Sequence, residues 1–146
     1  MSFTNDLLDV FTVESDKLEN LVNAVNLDES LPVDQIIKLY YQITNVSSMI
    51  TVMRQQLDQT TDATLLEKIL NAEKFISEKF NCTIHPKIIQ SIANSISEIT
   101  GNLQSLNSEQ KSAKTIETEA KLYEKLREIM STQEFVKQYD VSLSDD

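Results

Sequence analysis

Glycine occurs once in this chain, proline twice, cysteine once, histidine once and tryptophan not at all. With so few turn-forming residues there is little with which to build hairpins, bulges or tight turns, and a β-rich fold is excluded on that ground. The lone Cys82 cannot form an intrachain disulfide. No stretch approaches the roughly 18 consecutive apolar residues that a membrane-spanning helix needs. No basic N-terminal region followed by an apolar run and a small-residue cleavage site is present, so the chain reads as cytoplasmic, with the nucleus as the alternative.

Catalytic and metal sites need several ligating or titrating side chains, and one His and one Cys are a poor supply. The two stand at Cys82 and His85 as a lone C-x-x-H, with no second pair to complete a tetrahedral zinc site. His85 precedes Pro86 and is read as satisfying nearby backbone groups in a helix connection, with Cys82 as a small core residue. The single Gly101 rules out a glycine-rich phosphate loop, and no Ser or Cys stands in a nucleophile elbow. The expectation is therefore a non-enzyme with no catalytic residues, cofactor or metal.

Basic residues are also scarce. Thirteen Lys and Arg face 23 Asp and Glu over 146 residues, a net charge of −10 that disfavours nucleic acid and anionic membrane surfaces. The charge is uneven: residues 1–30 hold seven acids and one base, whereas residues 86–107 hold one of each.

What is present is helical periodicity. Ile36, Leu39, Ile43, Val46, Ile50, Met53 and Leu57 recur at alternating spacings of three and four, a heptad stripe over the stretch 36–57. Ile89, Ile92, Ile96, Ile99, Leu103 and Leu106 repeat the pattern. The positions around both stripes are polar but almost uncharged. A first helix is predicted from a Thr4 or Asn5 cap to about Asn26, and a third from a Thr61 or Asp62 cap to about Asn81. Ser30 and Pro32 mark the start of the second, and Pro86 the start of the fourth. A strongly charged fifth runs from about Ser112 to Tyr139, with Ile116, Ala120, Tyr123, Leu126, Ile129 and Met130 as its inner face and a kink near Ser131. Gly101 predicts a bend, an end or a close neighbour in the fourth helix.

The fold expected is all-α, an antiparallel helical bundle of four to five long helices with coiled-coil-like heptad packing. It should occupy residues 1–139 as one domain, followed by a disordered acidic tail at 140–146. The function expected is protein association, with a second copy or another protein. Its interface would be formed by Ile36, Ile43, Ile50 and Met53 on the second helix and by Ile89, Ile92, Ile96, Ile99 and Leu103 on the fourth. The alternative is a carrier of a small molecule or lipid, with an apolar cavity lined by Tyr40, Tyr41, Met49, Met53 and Phe75. Tyr40 and Tyr41, about 100° apart on a helix, read more readily as core packing with hydroxyls at the rim.

Overall fold

The computed structural model describes residues 3–26, 31–57, 63–107 and 112–144, and among these there is no strand. The elements are α1 (Phe3–Asn23), α2 (Val33–Leu57), α3 (Ala63–Phe75), a π-helical segment (Ile76–Ile84), α4 (His85–Asn107) and α5 (Ala113–Ser144). The fold is an all-α helical bundle, as the shortage of Gly and Pro requires. Chain contacts divide it into two compact units, Met1–Pro86 and Lys87–Asp146, where one domain over 1–139 was expected.

In the first unit α1 packs on α2 and on the π segment, and α2 packs on α3. The polar contacts between α2 and the following helix are nested. Arg54 grips Glu73 close to their connection, with Arg54 Nε 3.2 Å from Glu73 Oε2, while Tyr40, a helix-length earlier, meets His85. Such nesting makes the two elements antiparallel. Between α1 and α2, Gln42 Nε2 donates to the Glu14 carbonyl and to Glu14 Oε2, both at 2.8 Å. The core contains Phe11, Leu18 and Val22 of α1, Ile36, Leu39, Tyr40, Ile43, Val46, Ile50 and Met53 of α2, and Leu65 and Ile69 of α3. The stripe that marked residues 36–57 in the sequence is thus the unit's central seam. Pro32 opens α2 by accepting the Ile36 N–H on its carbonyl at 3.1 Å. The predicted caps at Ser30, Thr61 and Asp62 lie outside the described residues.

Sequence reasoning placed a break at 82–85, before Pro86. The helical backbone instead continues through it. A proline ring inside an α-helix clashes with the carbonyl four residues back and removes an N–H. The π turn widens the backbone just before that point, and its bonds reach five residues back, as His85 N–H does to the Phe80 carbonyl. The Thr83 hydroxyl likewise donates to the Glu78 carbonyl at 2.9 Å.

The second unit holds most of α4 and all of α5. Ile88, Ile92 and Leu103 are buried on α4, whereas Ile89, which the predicted stripe included, is exposed. The buried line runs one position off the expected one at its start, where Ile88 continues the four-residue repeat of Ile76, Phe80 and Ile84. Gly101 sits within α4 with nothing within 4 Å of where a Cβ would be, so it marks neither an end nor a close approach. Ser112 caps α5, accepting the Thr115 N–H on its Oγ at 3.2 Å. α5 has no break at Ser131. Thr132 is buried, and its hydroxyl returns to the Glu128 carbonyl at 2.9 Å. The helix then runs to Ser144, so most of the expected disordered tail is helical; residues 145–146 lie outside the described residues.

Candidate interaction surface

The sequence-predicted interface residues fall into two groups. Ile36, Ile43, Ile50 and Met53 are buried within the single chain and serve its own core. On α4, Ile92 and Leu103 are buried, Ile96 and Ile99 are half-covered, and Ile89 is exposed. The α2 part of the expected surface is therefore already covered, and the α4 part keeps only Ile89, Ile96 and Ile99 in reach of solvent.

The predicted carrier cavity is not assembled. Tyr40 and Met53 are core residues, while Tyr41 is 63% exposed on another side of α2. Tyr40 is fully packed and its hydroxyl is internal: Tyr40 Oη and His85 Nδ1 share a hydrogen bond of 2.6 Å, both residues buried. Phe80 closes this cluster edge-on to the Tyr40 ring, with centroids 5.2 Å apart. Cys82 is exposed while His85 is buried, so the C-x-x-H pair is split between surface and core. A polar pair buried in this way orients the π segment against α2 and fixes its register.

The sequence reading missed this cluster. A signal was nevertheless present, since buried residues recur every four positions at Ile76, Phe80, Ile84, Ile88 and Ile92. In an α-helix four residues overshoot a full turn by about 40°, so a run of fours cannot stay on one face unless the helix is locally wider.

No protein-family model, no curated protein and no solved structure matches this chain. The surface itself must therefore carry the functional reading.

Among the described residues α5 carries an uncovered apolar line. Ile116, Tyr123 and Met130 stand at intervals of seven and are 57%, 44% and 48% exposed. Ala120 lies between the first two on the same side and is exposed as well. Beside this line run Leu122, Leu126 and Ile129, which are half-covered. The expected inner face of the fifth helix is thus largely outward. Charged residues flank it, with Glu117 and Lys121 paired at 3.5 Å and Glu134 and Lys137 at 3.7 Å. Such exposed pairs are worth a few tenths of a kcal/mol each and keep the helix soluble without covering its apolar line. Among the described residues no helix is long and apolar enough to cross a membrane.

Proposed function

We propose that this protein is a non-enzymatic association module and that the partner met by α5 is a second copy of the same chain. The observation that carries the reading is the exposed line Ile116, Tyr123, Met130. Apolar residues at intervals of seven drift by only about 20° per repeat and so form one narrow face, the kind that a second helix covers in a supercoiled pair.

The charge of α5 is compatible with a second copy. Over residues 113–144 there are six acids and five bases, whereas the rest of the chain holds seventeen acids and eight bases. Two identical chains of net charge −10 repel one another overall, but α5 is nearly neutral, so a contact along it meets little of that repulsion. In an antiparallel pair centred on Tyr123, Ile116 of one copy faces Met130 of the other, so the apolar contacts are complementary in that register.

Light scattering on a sizing column over a tenfold concentration range tests this. The expected result is a dimer that the triple variant Ile116→Glu, Tyr123→Glu, Met130→Glu converts to a folded monomer. A wild-type monomer at every concentration overturns the reading. A dimer indifferent to the α5 variant but lost with Ile96→Lys and Ile99→Lys moves the interface to α4.

A further inference from the structure

We draw no further inference here: the strongest candidate, the cleft of about 270 Å³ between α1 and α3 in the first unit, carries nothing, because the Ser15 hydroxyl oxygen beside it is sealed from solvent, the exposed Asp16, Glu19 and Lys68 at its lip are a surface charge cluster, and nothing in the structure shows what covers it.

Discussion

α2 and α5 carry apolar residues at heptad spacing and end in opposite conditions. On α2 the line Ile36, Leu39, Ile43, Val46, Ile50, Met53 is buried along its whole length. On α5 the line Ile116, Tyr123, Met130 is open, and among the described residues of that helix Thr132 and Val136 are the buried ones. Spacing alone does not separate the two helices. The composition of the remaining positions does: α2 surrounds its line with Gln, Thr, Asn and Ser and only Asp34, Lys38 and Arg54 as charges, so several sides can be covered cheaply. α5 places a charge in nearly every turn and can be approached only along a narrow track.

Truncation is the sharpest way to break this contrast. Ile43→Ala, at a position with no exposure, should cost about 2–5 kcal/mol in urea unfolding followed by far-ultraviolet dichroism. Tyr123→Ala, measured at concentrations where the chain is monomeric, should stay within about 0.5 kcal/mol of wild type. Comparable losses at the two sites would erase the distinction between a covered and an open stripe.

A second variant probes what the interior of α2 depends on besides apolar area. Tyr40→Phe removes the hydroxyl that His85 Nδ1 contacts at 2.6 Å and should destabilise by about 1–2 kcal/mol, although it deletes a single oxygen. In the opposite direction, Gly101→Ala should stabilise by about 0.5–1 kcal/mol, since the helix there is regular and a methyl group meets nothing within 4 Å.

The smallest effect expected is electrostatic. The Gln42 side-chain hydrogen bond, aided by Lys17, outweighs desolvation and holds the Glu14 carboxyl below its ordinary range. A carboxyl whose pKa is lower folded than unfolded stabilises the fold fully above its unfolded pKa. That contribution is lost as pH falls through the folded value. Gln42→Ala should therefore raise the Glu14 pKa in a carbon-detected titration. The stability gap between the variant and wild type should narrow as the medium is acidified below the carboxylate range; a Glu14 curve unchanged by the substitution would remove Gln42 as the cause.

The helical class was legible from the near absence of Gly and Pro, and the α2 core from its stripe. The covering of that stripe by the chain's own helices was not, because periodicity gives a face without naming its neighbour. The join at residues 82–86 misled for a definite reason. Pro86 after His85 reads as a start signal, and the rule assumes α geometry on both sides. The repeat of fours from Ile76 to Ile92 carried the opposite message and has force only once a wider turn is admitted. The cleft lined by Ser15, Lys68 and Ala72 was out of reach of sequence patterns, since at least fifty-two residues separate Ser15 on its α1 side from Lys68 and Ala72 on its α3 side along the chain.

A π turn spends more chain per turn than an α turn, so the stretch Ile76–Ile84 is a small reserve of length inside an otherwise fixed rod. Taken up, it would swing Phe80 and Ile84 off the line that Ile76 holds in the core. The bond between Tyr40 and His85 sits at the downstream end of that reserve and anchors it to a neighbouring helix. The pair therefore works as a latch on the widened turn: beside it Phe80 and Ile84 stay in the core while Cys82 stays in solvent.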